Sequence, residues 1–254
     1  MTLTPTQSLL AWYHANKRSM PWRDVRDPYR VWVSEIMLQQ TQVDTVRPYY
    51  DRWLAKFPSV SALATASLDD VLLAWEGLGY YSRARKMHQC AQVLMAKHDG
   101  VMPQDLELLL TLPGIGPYTA AAIASFSYGI DALTLDGNLS RVLARFAGID
   151  LLYGTRDFQQ AVREAGMALL PPGQSADFNQ ALMDLGAMVC TPSTPKCDAC
   201  PLSNWCKSMS APTNRPIKPT KPEVPTKYKV ALVAVQNGKV LLARRPENGL
   251  LGGM

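Results

Sequence analysis

No stretch of the 254-residue sequence is apolar enough, or long enough, to cross a membrane. The most apolar window, Thr119 to Leu133, is broken by Ser125, Ser127, Tyr128 and Asp131, short of the roughly 18 uninterrupted residues a span requires. The opening Met1-Thr2-Leu3-Thr4-Pro5 lacks the basic start of a secretory signal, and Pro5 interrupts any apolar core there. These absences predict a cytoplasmic protein with no membrane association. Strong charge of either sign is missing too: the formal net charge is +5 and the pI near 8.9, with 47% apolar and 19% charged residues. Such a composition belongs to an ordinary globular protein, and its small basic excess matters only where it clusters. In a reducing compartment, grouped cysteines read as metal ligands before disulfides.

Alternating strand patterns and internal repeats are also absent up to about Cys206. Apolar residues instead recur three and four apart in Leu9–Tyr13, Val31–Leu38, Leu106–Leu110, Leu139–Phe146 and Leu182–Val189, the periodicity of helices. Proline and glycine punctuate these runs at Pro58, Gly77–Gly79, Pro103, Gly114–Pro117 and Pro171–Gly173. The pattern predicts an all-α region over 1–206. Five prolines then fall between Pro212 and Pro225, and six basic residues from Lys207 to Lys229 face only Glu223. That composition predicts a semi-rigid basic linker over 207–227. Beyond it, Tyr228–Gln236 alternates as a strand, Asn237-Gly238 is a two-residue turn and Val240–Ala243 returns, so 228–254 is expected to hold a β-hairpin.

Five cysteines are present, and four of them, Cys190, Cys197, Cys200 and Cys206, form C-x6-C-x2-C-x5-C within 17 residues. Thiolates so close in sequence close on one metal centre without long-range help, and sulfur ligation suits zinc or an iron–sulfur cluster. Cys90 stands apart in a helical run and is expected to be a packed thiol.

Between two helical runs lies Leu112-Pro113-Gly114-Ile115-Gly116-Pro117-Tyr118-Thr119-Ala120. Gly114 and Gly116 permit close backbone approach, and the free N–H groups of the following helix start suit an anion such as a DNA phosphate. A plain helix connector has the same pattern. Glu35 sits with Val31, Trp32, Leu38 and Gln39 at helical spacing, an apolar face that favours a neutral carboxylic acid able to donate a proton. An arginine-paired carboxylate is the alternative. Asp136 in Leu135-Asp136-Gly137-Asn138 is placed to cap a helix, whose N–H groups would keep it ionised. One acid kept protonated and one kept charged is the division of labour that breaks glycosidic bonds.

Several segments together resemble the MutY family of adenine DNA glycosylases within the endonuclease III superfamily. They are Met20-Pro21-Trp22-Arg23, Val33-Ser34-Glu35-Ile36-Met37-Leu38-Gln39-Gln40-Thr41-Gln42 and Gly77-Leu78-Gly79-Tyr80-Tyr81-Ser82-Arg83-Ala84-Arg85. Leu135-Asp136-Gly137-Asn138, Phe178-Asn179-Gln180-Ala181-Leu182-Met183-Asp184-Leu185-Gly186-Ala187 and the cysteine loop join them. The resemblance runs from near the start to Cys206, and the linker and hairpin resemble the opening of that family's Nudix-like C-terminal domain, cut short.

The resemblance implies a two-lobed helix-hairpin-helix glycosylase fold. One lobe would have six helices and carry the hairpin near 112–120; the other would combine the N-terminus with about 131–206. It implies a 4Fe–4S cluster on the four cysteines and a monomer that works at the nucleoid on double-stranded DNA. The implied activity is removal of adenine mispaired with 8-oxoguanine or guanine, after the base is flipped out. Glu35 would protonate the adenine and Asp136 would stabilise the sugar cation, with Tyr118 and Asn138 orienting them. Gln40 and Tyr80 would wedge into the duplex, while Trp22, Arg23 and Leu38 would line the base pocket. Core packing is the alternative for the aromatics and Leu38, and a solvated helix end for Gln40. A shortened C-terminal domain would weaken the preference for 8-oxoguanine over guanine. The sister branch carries a Schiff-base lysine in the hairpin. Here Tyr118 stands in that place and Leu112–Ala120 has no lysine, which implies base removal without strand cleavage. An endonuclease III-like pyrimidine glycosylase with lyase activity, or a non-catalytic iron–sulfur DNA-binding module, are the rival readings.

Overall fold

The computed structural model describes residues 3–220, 224–226, 228, 230 and 233–242. Two compact units divide the chain at Pro219. The first is helical: α1 (Pro5–Asn16), α2 (Pro28–Leu38), α3 (Val43–Lys56), α4 (Val60–Thr65), α5 (Leu68–Ala74), α6 (Ser82–His98), α7 (Leu106–Thr111), α8 (Pro117–Tyr128), α9 (Gly137–Ala147), α10 (Arg156–Met167) and α11 (Ser175–Met188).

Local sequence sets where many of these helices begin. Thr4, Asp27, Ser59, Ser67, Asp105, Asp136 and Thr155 each precede a helix and accept a backbone N–H from its first turn. Those caps satisfy donors that have no partner inside the helix. Proline at the first helical position of α1, α2 and α8 removes one such donor outright.

Two separate apolar cores result. The first is built on Trp32, Trp53, Trp75, Leu63, Met87 and Leu94, all buried, and gathers residues from α2 through α8. The second, around Tyr13, Leu139, Leu143, Phe158, Phe178 and Leu182, joins the first helix to α9, α10 and α11. The chain crosses between them at Ala132 and Leu133, an extended stretch pinned by the buried Asn179. Its Oδ1 accepts from Thr134 N at 3.1 Å, and its Nδ2 donates to Ala132 O at 2.8 Å.

Two expectations meet a different geometry. Residues 207–219 do not leave the helical unit as a linker. Lys207 N donates to Phe146 O and Ser208 Oγ to Arg145 O, while Tyr153 N donates to Ile217 O at 2.8 Å. Prolines excluded this stretch from a core but not from lying against one, and the buried Arg145 supplies the hydrogen bonds that hold it. The hairpin forms around Asn237-Gly238, yet its strands are only β1 (Val235–Gln236) and β2 (Lys239–Val240), paired antiparallel with Val235 opposite Val240. Val233, Val235, Val240 and Leu241 are exposed, so no buried face extends the ladder. Lys229, Ala231, Leu232 and Ala243 of the expected strands lie outside the described residues.

Candidate active site

Where the two cores meet, α2 and α8 from one face α9 and α11 from the other around a cavity of about 480 Å³. Glu35 comes from the middle of α2, flanked by Ser34 and Ile36, and only 6% of its surface is exposed. Among the described residues no arginine forms a salt bridge with it; its hydrogen-bond partner is Tyr118, whose hydroxyl donates to Oε2 at 2.6 Å. Burial pushes the Glu35 carboxyl up to about 7, and Asp136 adds to the rise, while the bond from Tyr118 and the charge of Arg23 pull against it. The Tyr118 hydroxyl is itself driven well above its ordinary value by burial and by the nearby carboxylate.

Asp136 caps α9: Oδ1 accepts from Leu139 N at 2.7 Å and Oδ2 from Asn138 Nδ2 at 3.2 Å. The helix start is only part of what sets its charge state. Burial raises its pKa above the ordinary carboxylate value, and the bonds from Leu139 and Asn138 only offset part of that rise. Asn138 is held in turn by Arg141, whose Nη2 donates to its Oδ1 at 2.9 Å. Arg141 also donates to Gly186 O and Cys190 O, so a continuous chain of hydrogen bonds links Asp136 to the cysteine loop.

Trp22, Arg23 and Leu38 line the cavity, as do Arg18, Gln180 and Met183. Beneath them Asp184, fully buried, binds two arginines: Arg18 at 2.7 Å and Arg23 at 2.9 Å. Gln180 accepts from both Arg23 and Tyr13. Arg18, Gln180 and Asp184 were not singled out from sequence. The arginines' spacing from a distant aspartate carries no periodic signal, and only the family-like segment Phe178–Ala187, which contains Gln180 and Asp184, pointed to that region.

Gln40 and Tyr80 lie outside this cavity, both exposed and both in left-handed backbone, with φ of 55° and 49°. Non-glycine residues there are strained and need support. Arg83 provides it: its Nη1 donates to Ile36 O and Gln39 O, and its Nη2 to Leu78 O and Gly79 O. Its guanidinium stacks 5.5 Å from the Tyr80 ring. One side chain thus draws the two turns together. In the hairpin, Gly114 has φ of 79°, and a Cβ there would meet the Cβ of Lys86 at 2.7 Å, so glycine is required. Gly116 begins α8 with no side-chain cap and open space where a Cβ would stand, leaving the helix N–H groups free to meet an anion.

All four loop cysteines are free and line one small cavity beside Arg145. Arg145 Nη1 donates to Cys190 Sγ at 3.4 Å and to Thr191 O at 2.7 Å, and Nη2 to Pro192 O at 2.8 Å. Among the described residues no three ligands are drawn in around a single ion. Four thiols around one shared space are a donor set suited to zinc or to an iron–sulfur cluster. Cys90 is buried elsewhere in the first core and its thiol is pushed up to about 12, the state of an inert packed thiol.

Residues 33–167 match the family described as HhH-GPD superfamily base excision DNA repair protein. The chain belongs to that superfamily. Its residues 190–206 match the iron–sulfur binding domain of endonuclease III, so the four cysteines are an iron–sulfur ligand set. Among curated relatives, the adenine DNA glycosylase of Mycolicibacterium smegmatis is 43% identical across 83% of this chain and 71% of its own. Those of Homo sapiens and Buchnera aphidicola are 45% and 42% identical, covering 79% and 82% of this chain. The chain spans 38% of the human protein and 59% of the Buchnera one. Among solved structures, a thermostable thymine-DNA glycosylase matches with a TM-score of 0.73 at 29% identity, over 80% of this chain and 94% of that one. An endonuclease III–DNA complex has a TM-score of 0.68 at 21% identity, over 82% and 97%, which shows the shared superfamily fold.

Proposed function

We propose that this chain is a monofunctional adenine DNA glycosylase acting on adenine opposite 8-oxoguanine or guanine in double-stranded DNA. The observation that carries this reading is the pairing across the cavity: Glu35, buried and raised to about 7, with a capped Asp136 on the facing helix. The names of the 38–45% identical relatives support adenine as the base.

In this reading a base swung out of the stack enters the cavity and lies between Trp22, Leu38 and the Arg23–Gln180 pair, which line it. Glu35 gives its proton to the adenine ring, the bond from sugar to base breaks, and its electron pair leaves with the base. The sugar is left as an oxocarbenium ion, whose charge Asp136 stabilises across a short distance in a site of low polarity. Water then adds to the sugar carbon and surrenders a proton to the Glu35 carboxylate, restoring the acid. Tyr118 fixes the orientation of Glu35, and Asn138 that of Asp136. No lysine lines the cavity among the described residues, so no amine forms a Schiff base there and the strand stays intact. Cys190, Cys197, Cys200 and Cys206 would hold the iron–sulfur cluster, which would brace the loop beside Arg145 covalently.

A labelled duplex with adenine opposite 8-oxoguanine tests the reading against its lyase rival. The expected result is strand scission only after alkali and no complex trapped by borohydride. Scission without alkali, or a trapped complex, contradicts it.

A further inference from the structure

Asp136 and Asn138 line a second cavity as well, of about 520 Å³, on which the mechanism above makes no demand. Arg141, Arg145, Arg215 and Lys218 contribute to its wall, and Asp136 is the one acidic residue there among those described. Three features build it. Arg145 Nε donates to Arg215 O at 3.0 Å, Leu152 bridges Ile217 in parallel register, and Arg215 Nη2 pairs with Asp150 Oδ2. The segment 213–219 is thereby folded back to close a pocket beside the first residues of α9.

The charges in this wall are unequally used. Arg141 and Arg145 spend N–H groups on Asn138 and on the Gly186, Cys190, Thr191 and Pro192 carbonyls, and among the described residues neither forms a direct salt bridge with a carboxylate. Arg215 Nε is buried with no acceptor, and exposed Lys218 has no partner among the described residues. Arg215 is paired with Asp150 on one side, but Arg141, Arg145 and Lys218 share the single Asp136 carboxylate in a concave site, a positive field whose natural occupant is an anion. The sugar of a base seated in the first cavity lies at Asp136, so the strand's own phosphates must pass within one nucleotide of this residue.

Resting on the glycosylase reading, we propose that the second cavity receives the DNA phosphate adjoining the flipped nucleotide, with Arg215 and Lys218 as its ligands. The segment after the last cysteine is then part of the DNA-binding surface rather than a tether. The phosphate fixes the register of the strand, and so the position of the sugar against Asp136.

Binding is measured on duplexes carrying a neutral methylphosphonate either 5′ or 3′ to the target adenine, with the full chain and with the Arg215→Gln/Lys218→Gln double variant. In the wild type, one of the two neutral linkages should weaken binding about tenfold, the scale of one charge-assisted contact. The double variant should bind the natural duplex about tenfold more weakly, show no further loss at that linkage, and have a salt slope shallower by about one. Lys218→Gln alone, at an exposed position that cannot disturb the fold, should show a smaller loss in the same direction. Equal methylphosphonate penalties in wild type and variant, or an unchanged salt slope, overturn the phosphate site. A wild type that excises no adenine overturns the glycosylase reading and this site with it, so the two failures are told apart by the wild-type excision assay.

Discussion

For Glu35 the deciding quantity is desolvation, and its consequences run in a definite direction. Its proton must be present for catalysis, so the excision rate should fall as pH rises through about 7. In the proposed mechanism Asp136 must be charged, so the rate falls again toward acid pH, at a pH set by an Asp136 pKa that burial raises above an aspartate's ordinary value. The Tyr118 hydroxyl donates to the charged form of Glu35 and holds its pKa down, so Tyr118→Phe should move the alkaline limb upward. A bond of this kind is worth roughly 1.5–3 kcal/mol, which corresponds to about one to two pH units. Single-turnover rates across pH give the answer, and a limb that stays put or moves down would sink the assignment. The apolar surroundings of Glu35 were legible from Val31, Trp32 and Leu38 because helical spacing names same-face neighbours. Tyr118 as its partner was not derivable from spacing, since the two residues meet only through the packing of α2 on α8. Asp136 was legible as a cap, but the depth of its burial comes from the opposing lobe and has no local signal.

The helices were readable where apolar periodicity is strong, as in α9, and where caps or prolines mark a start. The paired turns were not. Gln40 and Tyr80 each sit in left-handed backbone, and nothing in their local sequence says that one arginine spans both turns. Arg83 does so with a planar fork of donors that a lysine cannot reproduce. Arg83→Ala should therefore release both turns while leaving the cavity around Glu35 intact, since Arg83 does not line it. The expected outcome is duplex binding weakened about tenfold, the scale of losing one or two well-placed contacts, with Arg83→Lys recovering little of it. Fluorescence anisotropy on a mismatched duplex checks this, and wild-type affinity in Arg83→Ala would show that the turns do not need their bridge. The stretch from 207 to 219 was misjudged for a related reason. Composition reports that proline-rich chain cannot form a core, but whether it lies against one depends on Arg145 and Tyr153, far off in sequence.

Two cores, each with its own helices, carry one half of the proposed chemistry apiece: Glu35 and Tyr118 on helices of the first, Asp136 and Asn138 at the start of α9 in the second. The fully buried Asp184, paired with the largely buried Arg23 and the partly exposed Arg18, and the bracing of Asn179 fix the second half against the first. Breaking such a buried pair by removing one partner commonly costs 3–5 kcal/mol, so the geometry of the site is bound to the integrity of the whole. The cysteine loop joins this frame through Arg141 and Arg145, which explains how a cluster outside the cavity belongs to the same design. The measurement that bears most directly on the account is single-turnover release of adenine from a duplex with adenine opposite 8-oxoguanine, revealed by alkali, in wild type and in Glu35→Gln. The account predicts adenine loss in the wild type and none in the variant, with the variant still bound to the duplex. Substantial excision by Glu35→Gln, or none by the wild type, would contradict it.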